Sequence, residues 1–274
     1  MLENCDLAAV TQLWAYRNLI FNLAQRELRA RYKKSLLGWL WSLINPASML
    51  LIYSLVFGVF LKQNPPPSSN GVTVYALYLF AGLYIWNFFN GTVTGSITAL
   101  QTSGPLLNKV YFPPACPAIA FMITVLFQAL IEASILAVVM ILLGNASVTF
   151  LLFPLLIVVV MLFALGVGLA LSVYNVFYRD VGYLVTIALN LLFYATPIIY
   201  PITAVPVKIG GVPVRRIIEL NPIAQFVAWS RDAFWSLTWP SAVSFAGVIG
   251  FSVLTFVVGL MIFNRKSRDI VQEL

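Results

Sequence analysis

The chain has 274 residues, of which 61% are hydrophobic and 9% charged, with 16 Lys and Arg against 9 Asp and Glu. A soluble domain carries roughly 25% charged residues, because the surface of a globule has to be covered with polar groups. This composition therefore excludes an independent soluble domain and requires lipid as part of the solvent. There are no histidines, which excludes His-based general acid–base catalysis, Ser–His nucleophile pairs and His-containing metal sites.

The net charge of +7 lies mostly beside apolar stretches, so it points to anionic lipid headgroups and membrane topology rather than to nucleic acid. Cys5 and Cys116 show no CxxC spacing and are expected to be unpaired residues in a reducing compartment.

In chain order, residues 7–34 form an amphipathic helix that does not span. Leu7, Val10, Trp14, Phe21, Ala24 and Leu28 make an apolar stripe at three- and four-residue intervals, and 26–34 is strongly basic. Such a helix lies in the headgroup plane. It lacks the short apolar core of a cleavable secretory signal, so none is expected.

Six apolar stretches follow, at about 36–61, 74–100, 115–143, 150–177, 181–202 and 241–264. Each is long enough to cross a hydrocarbon core of ~30 Å, and none alternates in the manner of a barrel strand, so all are expected to be helices. Asn45-Pro46 in the first stretch, and Pro197 with Pro201 in the fifth, are expected to kink them.

The connections carry their own signals. Residues 62–73 are a polar, proline-rich loop, and 101–114 is a turn ending in Val110-Tyr111-Phe112-Pro113-Pro114. The longest, 203–240, contains a Gly210-Gly211 hairpin signal, then Asn221 as N-cap and Pro222 in the first turn of a short helix at roughly 222–236. That helix is too short and polar to span, so a re-entrant or interfacial element is expected. The fold class is thus an all-α integral membrane protein. An N-terminal interfacial helix (1–35) precedes six transmembrane helices (36–274), with short re-entrant or gate helices between the fifth and sixth.

Six spans leave both termini on one side. Arg17, Arg26, Arg29, Arg31, Lys33, Lys34, Lys109, Arg179, Arg265, Lys266 and Arg268 fall there, against Lys62, Lys208, Arg215, Arg216 and Arg231 on the other. The bias puts the termini in the cytosol and segment 203–240 outside.

No GxxxxGK[ST] loop is present, so ATP hydrolysis would belong to another chain. The run from Arg26 to Pro46, with Leu107-Asn108-Lys109-Val110-Tyr111-Phe112-Pro113, Tyr178-Arg179-Asp180-Val181 and Leu220-Asn221-Pro222-Ile223, resembles the permeases of type-2 ABC exporters. It is similar in particular to those that export lipid-linked polysaccharides such as O-antigen, teichoic acid or galactan, over essentially the whole chain. The resemblance implies a homodimer in the bacterial inner membrane, bound to two ATPase subunits that carry the ATP and Mg, with no cofactor on this chain.

The resemblance also assigns roles. The loop Gly104 to Pro114 becomes a coupling element, with Leu106, Leu107, Lys109, Val110, Tyr111 and Phe112 as ATPase contacts beside Arg26, Glu27, Arg29 and Arg31. The other reading of the loop is a turn rich in breakers; an apolar run at a water boundary favours a partner. A glycan channel would be walled by Trp39, Trp41, Tyr53, Phe57, Phe193, Tyr194 and Tyr200. Trp39, Trp41 and Tyr200 fit an interfacial aromatic belt equally well. Arg215, Arg216, Asn221 and Arg231 fall in the external gate.

Glu132, at mid-span, is either a proton relay or a protonated or hydrogen-bonded carboxyl buried between helices; no second carboxylate or His in mid-span completes a relay, which favours the latter. Two further readings stand beside the main one. One is a related permease for a drug or small lipid. The other is an intramembrane glycosyltransferase-like enzyme, which would need a carboxylate or metal cluster that the nine acidic residues do not form.

Overall fold

A computed structural model describes residues 14–33, 35–107, 109–110 and 112–273, the side chains of residues 32 and 268–273 aside. Leu7 and Val10 of the N-terminal stripe, Cys5, and Tyr111 of the coupling run lie outside the described residues. The described chain is all-helical, with one isolated bridge, Ile209 to Val212, in place of any strand.

The elements are α1 (Arg17–Tyr32), α2 (Trp41–Tyr53), α3 (Tyr75–Thr102), α4 (Gly104–Leu107), α5 (Cys116–Leu142), α6 (Leu152–Phe177), α7 (Asp180–Ala195), α8 (Val214–Glu219), α9 (Pro222–Arg231) and α10 (Ala242–Glu273). A 3-10 turn at Gly38–Leu40 precedes α2, a π-helical stretch at Ser54–Phe60 follows it, and another at Asp232–Ser236 follows α9. Pro46 sits inside α2.

By length and composition, four helical stretches can cross a membrane: Gly38–Phe60, Cys116–Leu142, Val148–Phe177 and Ala242–Ser267. The expected second and fifth spans differ from these for separate reasons. α3 is 28 residues long, ample for a ~30 Å core, but Asn87, Asn90 and a run of Thr and Gly make it less apolar. It can afford this because nearly every side chain from Tyr75 to Phe89 is buried by neighbouring helices rather than by lipid.

α7 has only 16 residues, about 24 Å at 1.5 Å per residue. It stops where Thr196 turns extended (ψ 137°), as the residue before a proline must. The Thr196 hydroxyl donates to Leu192 O at 2.7 Å. Pro197 therefore ends this helix rather than kinking it, and residues 196–201 form a turn.

α3 is the central helix, packed by α5, α6, α9 and α7, while α10 lies along α6. The α6–α10 crossing is set by glycines: a Cβ on Gly166 would lie 2.6 Å from Phe256 Cα, and one on Gly259 would overlap Gly166 O. Small residues let backbones approach this closely where no hydrophobic driving force pulls helices together in lipid.

Two apolar cores result. The larger joins α3, α5, α6 and α9 around Tyr84, Phe88, Phe226, Trp229 and Phe234. The smaller joins Ile20, Leu23 and Ala24 of α1 to Leu107, Phe112, Cys116, Leu169 and Phe263. The buried line of α1 is thus Ile20, Leu23 and Ala24, whereas Trp14 and Phe21 of the expected stripe are exposed.

Candidate functional site

A cavity of about 610 Å³ opens between α2, α3 and α5. Its walls carry Trp41, Asn45, Met49 and Tyr53 from α2, Tyr84 and Asn87 from α3, and Gln128 and Glu132 from α5, with Arg31 at the α1 end. Glu132 is buried and hydrogen-bonded, as its second sequence reading holds. Gln128 Nε2 donates to Glu132 Oε1 and to Ser42 O, both at 3.1 Å, tying α5 to α2. Glu132 Oε2 is buried and makes no hydrogen bond within the protein. Asn87 faces the cavity, the one exposed residue between Tyr75 and Phe89.

The seven expected channel aromatics do not gather in one place within a protomer. Trp41 and Tyr53 line the cavity. Phe57 stacks on Tyr75 at 5.3 Å. Phe193 packs against Trp86 at 5.4 Å and Tyr194 against Phe193 at 5.2 Å, while Tyr200 donates to Tyr194 O at 2.9 Å. Trp39 and Tyr194 are largely exposed.

The basic helix and the 101–114 turn share the smaller core. Gly104–Leu107 forms a single helical turn, and Lys109 and Val110 protrude from it. Leu106 is half-buried, while Leu107 and Phe112 point inward and are buried. The inference that Phe112 belongs to an exposed apolar cluster is thereby corrected: in the folded chain it packs against this protein's own helices. On α1, Arg26, Arg29 and Arg31 are exposed and Glu27 half-buried, with Arg26 Nη2 at 3.1 Å from Glu27 Oε1.

In the segment between α7 and α10, Arg231 is buried within the protein, only 7% exposed. Its Nη1 and Nη2 donate to Pro197 O and Ile198 O at 2.6 Å each, and Nε to Tyr78 O at 3.4 Å, with the guanidinium 3.9 Å from the Tyr78 ring centroid. No carboxylate among the described residues pairs with it.

Asn221 Oδ1 accepts from Ile223 N at 3.0 Å, the expected N-cap, and its Nδ2 donates to Thr196 Oγ1 at 3.1 Å. Asn221 and Arg231 thus clamp the break after α7, a link between distant segments that no local pattern carries. Arg215 is turned back on its own segment, donating to Val205 O through Nε at 3.0 Å, while Arg216 is exposed. The Gly210-Gly211 turn forms as expected, with φ of 57° and 87° and paired Ile209–Val212 bonds of 3.0 Å.

Sequence reasoning does not single out Tyr78, Thr196, Asn87 or Gln128. The signal for Gln128 was its position one helical turn before Glu132, where two polar side chains share a face. Arg231 offered another, a cation in an apolar stretch with no acidic partner at helical spacing. Among the described residues no cluster of His, Cys, Asp or Glu can hold a metal ion.

Comparison with known proteins covers nearly the whole chain. The sequence model of the family described as ABC-2 type transporter matches residues 18–235. The chain is 28% identical over 266 residues to an O-antigen export system permease protein RfbA of Myxococcus xanthus, covering 97% of this chain and 98% of that one. It is 29% identical to an RfbA of Klebsiella pneumoniae over 90% and 92% of the two chains. It is 23% identical to the polysialic acid transport protein KpsM of Escherichia coli over 89% and 91%.

Proposed function

Because this chain belongs to the ABC-2 type transporter family, we propose that it is the membrane channel subunit of an ATP-driven exporter of a lipid-linked polysaccharide. The observation that carries this is the end-to-end similarity to O-antigen export permeases, 98% of the Myxococcus relative being covered. The chain is a multi-pass membrane permease; in this reading it sits in the cytoplasmic membrane of a bacterium with both termini in the cytosol. It works as a homodimer with two separate ATPase subunits, and it forms no covalent bond to its substrate.

Coupling follows from the smaller core. Because Ile20, Leu23 and Ala24 share it with Leu107 and Phe112, α1 and the α4 turn move as one unit. A close-packed core transmits displacement instead of absorbing it. The ATPase contact is made by the outward groups of that unit, Lys109 and Val110 on the turn and Arg26, Arg29 and Arg31 on α1, and by Tyr111 of the same run. Leu107 and Phe112 hold the turn in place from inside. Aromatic walls from the first span and α7 meet across the dimer to form the glycan path, and the segment 203–240 closes its outer mouth. α9 is re-entrant in this arrangement, and Arg231 and Asn221 fix the gate to the end of α7.

Tagged permease purified in detergent tests this. The wild type should bring down a nucleotide-hydrolysing partner, and deletion of the permease should remove polymer from the cell surface. Val110→Asp should abolish the partner while leaving the permease folded. Phe112→Ala should instead cost about 3–5 kcal/mol of stability, the usual cost of emptying a buried aromatic site. A permease that purifies alone, or a deletion strain with normal surface polymer, would sink the reading.

A further inference from the structure

We propose that the cavity between α2, α3 and α5 is a binding subsite for one hydroxyl-rich sugar unit, with the Glu132 carboxylate as its main acceptor. This rests on the glycan-export reading above. A carboxyl group at mid-helix in a spanning segment is costly, and Glu132 is only 6% exposed. A purely structural role would leave both oxygens paired, since buried polar atoms in native proteins nearly always find partners. Here Oε1 takes the Gln128 amide, while Oε2 has no partner of full hydrogen-bonding geometry, although the Asn87 amide lies beside the carboxyl. The terminal torsion of a glutamate is broad and soft, so a small rotation turns Oε2 to the cavity that Glu132 lines.

The other groups match the same ligand chemistry. Asn45, Asn87 and Gln128 bring amides that both donate and accept, and a sugar hydroxyl does the same. Trp41 and Tyr53 bring apolar faces suited to the CH side of a sugar ring. At about 610 Å³ the cavity falls within the range of roughly 300–1,000 Å³ typical of ligand sites. Charge decides against a cation: Arg31 lines the same cavity, so a positive guest would meet a positive group. A neutral polyol hydrogen-bonds to both side chains and brings no charge of its own into the membrane.

The test uses the complete permease–ATPase complex in cells that make the polymer. A photo-crosslinking amino acid is placed at Met49 on the cavity wall, at Val207 in the outer segment, or at Val138, an exposed position on α5 away from the cavity. Glycan on the denatured, purified permease is read by periodate oxidation and hydrazide labelling. Glycan adducts are expected at Met49 and not at Val138. Glu132→Ala should lower the Met49 adduct about tenfold, the loss of one hydrogen bond. Glu132→Gln, which keeps an acceptor oxygen, should retain most of it.

Glycan at Val207 with only phospholipid at Met49 overturns the subsite and leaves the exporter reading standing. So does a Met49 adduct that Glu132→Ala leaves unchanged. If Glu132→Ala does not assemble, the contrast between Met49 and Val138 together with Glu132→Gln decides. Surface polymer that persists when the permease is deleted overturns the exporter reading, and the subsite falls with it.

Discussion

Replacing Arg231 should loosen the turn after α7 far more than it loosens the bundle. In the folded protein its guanidinium holds two successive carbonyls, Pro197 O and Ile198 O, each at 2.6 Å, with a longer contact to Tyr78 O at 3.4 Å. Hydrogen bonds to a charged donor contribute about 1.5–3 kcal/mol each, so losing the two short ones weakens the clamp by about 3 kcal/mol or more. The ring contact with Tyr78 at 3.9 Å adds about 2 kcal/mol when desolvated. Against this stands the several kcal/mol needed to bury the cation at all, which Arg231→Met recovers and Arg231→Ala recovers at the expense of a cavity.

The net expectation for Arg231→Ala is a local opening equilibrium for residues 196–205 raised about a hundredfold, taking about 1.4 kcal/mol per factor of ten. Hydrogen-exchange mass spectrometry on the purified complex reads this directly. The Ile198 and Thr196 amides, now bonded to Thr196 O at 2.7 Å and Leu192 O at 2.9 Å, should lose protection. Amides in α6 should not. Arg231→Lys should fall between, because an ammonium cannot fork across two neighbouring carbonyls as a guanidinium does. Unchanged protection of 196–205 in a folded Arg231→Ala complex would refute the clamp.

Two further pairs of substitutions test the packing. Gly259→Leu should abolish recovery of monodisperse protein in gel filtration, because any Cβ there overlaps Gly166 O, whereas Gly247→Ala, with nothing within 4 Å of its Cβ, should behave as wild type. Asn145→Ala should lower the thermal midpoint of the complex through a loss of about 1–3 kcal/mol. Its Nδ2, fully buried, donates to Phe234 O at 2.7 Å and holds the α5–α6 turn to the π-helical stretch. Asn70→Ala removes a bond of similar length, 2.8 Å to Gly144 O, but from an exposed side chain, and should shift the midpoint by much less, since water replaces the lost partner.

Much of the architecture is legible in single residues because the physics involved is local. Asn221-Pro222 caps α9 through one side-chain bond to the backbone, and Gly210-Gly211 turns because both adopt positive φ. Stretches facing lipid declare themselves by hydropathy. The absence of histidine and the scarcity of charge restrict the chemistry before any fold is known. The type-2 exporter resemblance was equally readable, since it lies in motif order along the chain. α3 shows where hydropathy fails: a helix walled in by other helices is relieved of the composition that lipid imposes, so Asn87 and Asn90 sit in it without declaring why.

Composition and local pattern alone determined that this is a helical membrane protein, where its turns lie, and which family it resembles. Which charged and aromatic groups face inward was decided only by the tertiary structure. Arg231, a cation expected in the external gate, is buried against three carbonyls, and Phe112, which looked like a partner contact, closes the protein's own core. Glu132 meets a cavity whose other walls come from α2 and α3. The physical reason is common to all three. Hydropathy is a property of a residue's own segment, but partners and burial depend on contacts between segments more than 30 residues apart in the chain, which no local pattern records.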